Sequence, residues 1–173
     1  QILLTDANVE RESSADNLSS TFNTLLEMGV IPIVNENDSV ASTEIESGHH
    51  KILGDNDTLS AIVAGLTHAD LLILLSDIDG LYSSDPRTDP EARLLTEVRE
   101  ITPEILAMAG GTGSVHGTGG MVTKLSAASI ANAAGCDMII TNSDNIDHLY
   151  DIMEGKQVGT RFIASRNHEV DHE

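Results

Sequence analysis

Apolar positions along this chain switch repeatedly between strand-like runs and helical spacing. Ile2–Thr5 is a short apolar run, and Ser14–Met28 then places Leu18, Phe22, Leu25 and Leu26 on one helical stripe that Gly29 stops. Val30–Val34 reads as a strand whose end is the polar sequence NEND, Asn35 to Asp38. Residues 41–54 have no period; they read as irregular or as a hairpin, punctuated by Gly48 and Gly54. Asp55 or Asn56 then caps a helix with Leu59, Ile62, Val63 and Leu66 on its apolar face. Leu71–Leu75 is a solid apolar block suited to a buried central strand, and it ends in SDIDG. Thr102-Pro103 opens a short helix with a cap followed by proline at the first helical position. A glycine-rich stretch leads into a helix over Met121–Ala134, ended by Gly135, and Asp137–Thr141 is another strand. A helix over Ile146–Met153, a last strand near Gly159–Ile163 and a polar, frayed tail complete the pattern.

Strands separated by helices imply right-handed crossovers and a mainly parallel sheet covered on both faces. The expected fold is therefore α/β, a three-layer αβα sandwich with a mainly parallel central sheet. A length of 173 residues suits one domain, with a body over 1–163 and a tail over 164–173. No apolar run approaches the length of a membrane span. The 28 acidic residues outnumber the 9 basic ones, and the net charge of −19 repels nucleic acid and acidic membranes, so neither is an expected partner. An anionic ligand would need local compensation from Lys124, Lys51, Arg87 or a divalent cation. Cys136, the single cysteine, reads as a small buried apolar residue without a disulfide, in keeping with a cytoplasmic location. The chain opens in mid-pattern on Gln1, without a basic and apolar leader, and reads as a fragment.

The chemistry begins at residues 110–128, GGTGSVHGTGGMVTKLSAA. Glycines let backbone N–H groups approach a ligand, a helix N-terminus adds partial positive charge, and Lys124 supplies a mobile point charge. Together these make a phosphate cradle; the plainer reading is a flexible surface loop. The spacing matches neither G-x-x-x-x-G-K-[ST] nor G-x-G-x-x-G. Further polar groups stand where parallel sheets bind ligands, at the C-terminal ends of strands. These are Asn35–Asp38, Ser76–Asp79 and Thr141–Asp144, the last of which reads as a helix-capping turn. GDND at 54–57 adds polar side chains at a helix start, where acidic residues ordinarily just cap. Amides and carboxylates able to hold an amino acid, beside a loop able to hold phosphates, are the parts of an ATP-dependent small-molecule kinase.

IPIVNENDSV, GDND, SDIDGLYSSDPR and GTGGMVTK occur in the order and near the spacing found in the amino acid kinase family, which this chain resembles over nearly all of 1–161. NEND with GDND is most similar to the branch that phosphorylates the side-chain carboxylate of L-glutamate in proline synthesis, rather than to the aspartate, acetylglutamate, carbamate or uridylate kinases. The resemblance makes residues 1–163 the larger, C-terminal part of such a domain. It implies that Asp38 and Asn56 contact glutamate with Asn35 lining the pocket, and that Asp57 organises the catalytic lysines. It also implies that Ser76 and Asp77 contact ATP, and that Thr118, Gly119, Gly120, Met121, Val122, Thr123 and Lys124 form the nucleotide loop, Lys124 acting on the transferred phosphate. Tyr82, Asp85 and Pro86 fall in the segment beside the nucleotide. Mg²⁺ is the implied cofactor, proline the implied feedback inhibitor, and a homo-oligomer the implied assembly. The family's first strand, with a second lysine, and its glycine- and serine-rich loops have no counterpart here. A non-catalytic amino-acid or nucleotide sensor of the same fold is therefore the alternative. Two departures are local: Ser76 replaces a usual threonine, and residues 46–53 are longer than the usual connection.

Three other signals carry less. His168-Glu169-Val170-Asp171-His172 spells H-E-x-x-H, but it lies in a polar terminus without an apolar face or a third ligand. His49-His50 reads as an exposed pair, and His116 as a solvent-facing residue of the glycine loop. No protein-held metal site is expected.

Overall fold

The computed structural model describes residues 1–37, 52–110 and 120–165. Its elements in chain order are β1 (Ile2–Leu4), α1 (Asp6–Glu10), α2 (Glu12–Glu27), β2 (Val34–Glu36), α3 (Asn56–Leu66) and β3 (Leu71–Ser76). They continue with β4 (Glu97–Val98), α4 (Pro103–Gly110), α5 (Gly120–Ala133), β5 (Asp137–Asn142), α6 (His148–Met153) and β6 (Thr160–Phe162). The helix caps and stops agree with the sequence within a few residues: the Asp55 carboxylate accepts the Thr58 N–H at 2.8 Å, and Gly29 follows α2 with φ of 72°.

Four strands form a sheet in the order β3-β5-β6-β4, while β1 and β2 pair separately and in parallel. β3 and β5 run parallel in register from Leu71↔Asp137 to Ser76↔Asn142. β4 and β6 are parallel, and β6 runs antiparallel to β5. The reversal follows from α6. Six residues of helix rise about 9 Å, too little to carry the chain back along a six-residue strand of about 20 Å, so the return is made antiparallel through Gly155 and Gly159, both at positive φ. The architecture is α/β with a mainly parallel sheet.

Side-chain alternation assigns the faces. Leu72, Leu74, Met138 and Ile140 join one apolar cluster with Ala61 and Ala64 of α3 and Leu125, Ala127, Ala128 and Ala131 of α5. Leu4, Leu53 and Leu59 form a second cluster, bordered by Leu18 of α2. Thr141, on the opposite face of β5 from Ile140, bonds His148 at the start of α6. Among the described residues the second helical layer is thus α6, and Leu3, Ile33 and Leu75 on the sheet strands and their approach remain exposed.

Small residues let α3 and α5 approach closely. A Cβ on Gly65 would stand 3.3 Å from the Ala134 Cβ, and Ala61, Ala64, Ala127, Ala128 and Ala131 of the two helices are almost fully buried. The two helices therefore lie at near-backbone contact, which places their N-terminal turns side by side.

Four differences from the sequence pattern have physical causes. Residues 30–33 are an apolar, strand-like run, yet ladder pairing begins only at Val34, because Ile33 offers its carbonyl to Ile2 N–H and the preceding residues have no ladder partner among the described residues. Helix α1 lacks an apolar stripe and was not predicted; the Asn8 amide oxygen accepts both the N–H and the hydroxyl of Thr5, and the Asp6 carboxylate accepts the Ile52 and Leu53 N–H groups. β4 has two residues, too few to give a period. Ala164, assigned to the tail by composition, is buried and donates its N–H to Asp137 at 2.9 Å.

Candidate active site

The N-termini of α3 and α5 meet at one carboxylate. Asp57, in the first turn of α3, accepts from Lys124 Nζ at 3.0 Å and from Thr123 Oγ1 at 2.9 Å, both on Asp57 Oδ2. The Lys124 and Asp57 side chains are only 13% and 21% exposed, so this ion pair is far better shielded than the surface pairs elsewhere in the chain. A lysine this near a helix N-terminus opposes the helix dipole, and Asp57 compensates that charge locally. Thr123 has a second acceptor, the Gly120 carbonyl at 3.0 Å, so its one proton can serve either oxygen.

Two amides line a neighbouring groove. Asn35 lies on β2 and Asn56 opens α3, and both are exposed there. Asn35 uses its side-chain oxygen to accept the Glu36 N–H at 2.9 Å, which turns the amide into a local brace. At the end of β3, the Ser76 hydroxyl donates to Asp77 Oδ1 at 3.1 Å, leaving the other Asp77 oxygen available. Ser76 is buried and Asp77 exposed.

A third network ties the ends of β3 and β5 together. Asp79 accepts the Tyr82 hydroxyl on one oxygen and the Asn142 amide on the other, each at 3.0 Å. Asn142 in turn accepts the Asp144 N–H, so the Thr141–Asp144 segment is a turn fastened to the β3 loop. It does not cap α6, whose cap residue is Asp147. Hydrogen bonding to Asp79, then burial and the carboxylate charge, hold the Tyr82 phenol above its ordinary pKa of 10.0. The proton is therefore kept in the folded state, and the stabilisation it carries is present below pH 10 and lost as pH rises through the raised value. Absorbance titration should show Tyr82 ionising above pH 10, and Asp79→Asn should bring that midpoint down; an unchanged midpoint would remove Asp79 from the role. Beyond Tyr82, the Arg87 guanidinium clasps Asp85 through Nε and Nη2, and this bonding holds the Asp85 carboxyl below the usual carboxylate range.

The family model described as Amino acid kinase family matches residues 1–142. The chain belongs to the amino acid kinase family. Glutamate 5-kinase of Clostridium perfringens is 55% identical over 166 residues, which are 96% of this chain and 61% of that protein. Glutamate 5-kinase of Listeria innocua is 56% identical over 173 residues, covering all of this chain and 62% of the relative. The chain thus spans about six-tenths of the length of these curated relatives. Among solved structures, UMP kinase from Bacillus anthracis matches at a TM-score of 0.60 with 15% identity, over 86% of this chain and 52% of that one, a likeness of fold.

Of the residues that the family resemblance singles out, the fold brings Asp57, Thr123 and Lys124 into one bonded group and sets Asn35 and Asn56 on one groove. Gly120 and Val122 sit exposed at the start of α5, with Met121 packed against the core. Among the described residues no hydrogen bond joins Ser76 and Asp77 to the Asp57 group. Asp38, Thr118, Gly119, Lys51, His49, His50, His116 and the 168–172 motif lie outside the described residues. The Asp79–Asn142 tie was not legible as such in the sequence; the signal was that two polar segments end strands that prove to be neighbours.

Proposed function

We propose that this chain forms the larger part of an ATP-dependent kinase that phosphorylates the side-chain carboxylate of L-glutamate, giving L-glutamyl 5-phosphate and ADP. The observation that carries the reading is the shielded Asp57–Lys124 pair at two adjoining helix N-termini. It stands beside amides suited to an amino acid, in a family whose curated members at about 55% identity are glutamate 5-kinases.

The chemistry needs no general base, since a glutamate carboxyl with an ordinary pKa of about 4.3 is already ionised at neutral pH. One carboxylate oxygen forms the new bond to the γ-phosphorus while the bond from that phosphorus to the β,γ-bridging oxygen breaks and ADP leaves. The obstacle is repulsion between two anions in a molecule of net charge −19. Lys124 meets it with a positive charge held in place by Asp57, and exposed N–H groups at the start of α5 meet it with backbone donors. Asp57 acts as a positioning residue for Lys124. Asn35, Asp38 and Asn56 orient glutamate; Ser76, Asp77 and residues 118–124 hold the nucleotide. Among the described residues no three acidic or histidine side chains gather into a metal-binding group, and Asp77 offers one uncommitted carboxylate oxygen. Such a donor set fits an Mg²⁺ held chiefly by nucleotide phosphates, where it would neutralise phosphate charge.

The test is ADP release with L-glutamate as acceptor, run on this chain and on one extended to the relatives' length. Glutamate-dependent release that fails with aspartate or N-acetylglutamate is the expected result. Nucleotide or amino-acid binding without release at either length would favour the sensor reading instead.

A further inference from the structure

We propose that Asp79 is a positioning residue of the nucleotide site, setting the place of Asp77 through its bond to Asn142. The role rests on the nucleotide half of the reading above, in which Ser76 and Asp77 hold ATP, and not on the choice of acceptor. β3 and β5 end together at the register pair Ser76↔Asn142, so the chain leaves both strands side by side. Parallel sheets bind ligands at this edge.

Backbone bonds anchor the chain on either side of a short span after β3. Before it, the Ser76 carbonyl accepts the Ser143 N–H at 2.8 Å. After it, the Leu81 N–H donates to the Thr160 hydroxyl oxygen at 2.9 Å, and the Leu81 carbonyl accepts the Leu95 N–H at 2.8 Å. Between these anchors, residues 77–79 have no backbone hydrogen bond among the described residues. Side chains alone hold them there. The Ser76 hydroxyl donates to Asp77 Oδ1, while Asp79 receives the Asn142 amide on Oδ1 and the Tyr82 hydroxyl on Oδ2.

The sense of the Asn142 amide is fixed, because its oxygen accepts the Asp144 N–H at 2.8 Å and its NH2 group is left to face Asp79. Two donors therefore converge on residue 79, and a carboxylate can accept both on separate oxygens where an amide has only one. With both oxygens engaged, Asp79 acts through its neighbour. Asp77 is exposed and has one oxygen uncommitted among the described residues, which makes it the group that meets the ligand. A span without backbone bonds opens at low cost, and apparent affinity falls with the fraction of chains whose Asp77 is in place. The Asp79–Asn142 bond keeps that fraction high.

The test is the Kd for ATP, by equilibrium titration, in a chain of the relatives' length, with the melting temperature measured beside it. Asp77→Ala should weaken binding about tenfold or more, as the nucleotide reading requires. Asp79→Asn leaves one donor without an acceptor and should weaken binding about fivefold or more. Asn142→Asp sets two carboxylates against each other and should weaken it at least as much. Combining Asp79→Asn with Asn142→Asp moves the amide to the other side of the pair and keeps every bond, so the Kd should return to within about twofold of the original. A merely structural tie would lower the melting temperature and leave the Kd of the folded chain unchanged, and that result would overturn the proposal. So would a combined variant that does not regain affinity. If Asp77→Ala binds ATP as tightly as the original chain, the nucleotide reading falls and the positioning role with it. If Asp77→Ala alone weakens binding, the reading stands and the positioning role falls.

Discussion

Replacing Lys124 with alanine is expected to lower phosphoryl transfer from ATP by on the order of 10²-fold or more, as loss of one transition-state donor does elsewhere. The lysine is one of only 9 basic residues, and its ammonium is held 3.0 Å from Asp57 in a shielded position. The loss should fall mainly on kcat with saturating glutamate, because in the proposed reaction the charge acts on the phosphate in flight. Lys124→Arg keeps the charge but replaces a compact ammonium with a planar fork, so it should recover only part of the rate. Asp57→Asn should lower turnover as well, and adding it to Lys124→Ala should cost little more, since Asp57 acts through the lysine. Full additivity would assign Asp57 a separate role. ADP release in a chain of the relatives' length is the measurement, and near-normal turnover of Lys124→Ala would remove the lysine from the reaction.

Gly159→Ala is expected to be the most destabilising glycine substitution at positive φ. Gly159 has φ of 61°, and a Cβ there would drive into the Ile140 carbonyl oxygen and reach 3.0 Å from the Asp79 carbonyl. Neither obstacle is a flexible side-chain end. Left-handed strain of about 1–2 kcal/mol plus displacement of a β5 carbonyl should total about 3 kcal/mol or more, a fall in Tm of roughly 6–12 °C. Gly135→Ala supplies the control, with φ of 79° but open space around the Cβ, and should show the strain alone. Equal melting temperatures for the two variants would refute the crowding argument. The effect should reach the loop after β3, because Gly159 lies against the Asp79 carbonyl and the neighbouring Thr160 hydroxyl oxygen accepts the Leu81 N–H at 2.9 Å.

Most of this fold was legible because its long elements announce themselves. The apolar block Leu71–Leu75 announced a strand, although it stands at the edge of the four-stranded sheet with Leu75 exposed rather than at a buried centre, and the cap at Asp55 fixed where α3 begins. What was illegible was short or depended on partners. The two residues of β4 and the five of α1 are too brief for a period, and both are set by tertiary hydrogen bonds. Val30–Val34 has the apolar run of a strand, but a ladder needs a neighbour, and pairing here begins at Val34. Within the site, residue types and spacing pointed to Asp57 and Lys124. Their meeting across 67 positions, and the bond from Thr123, required the crossovers to be built.

The contact between α3 and α5 works as a pair of tongs. Their far ends touch where Gly65 faces Ala134, and their near ends carry Asp57 and Lys124. The two arms run about 12 Å and 15 Å from that contact. With almost no side chain between the arms, a branched residue at Gly65 would act as a wedge at the pivot and open the jaws. The spacing between Asp57 and Lys124 is then set in part by a glycine and an alanine at the far ends of their helices.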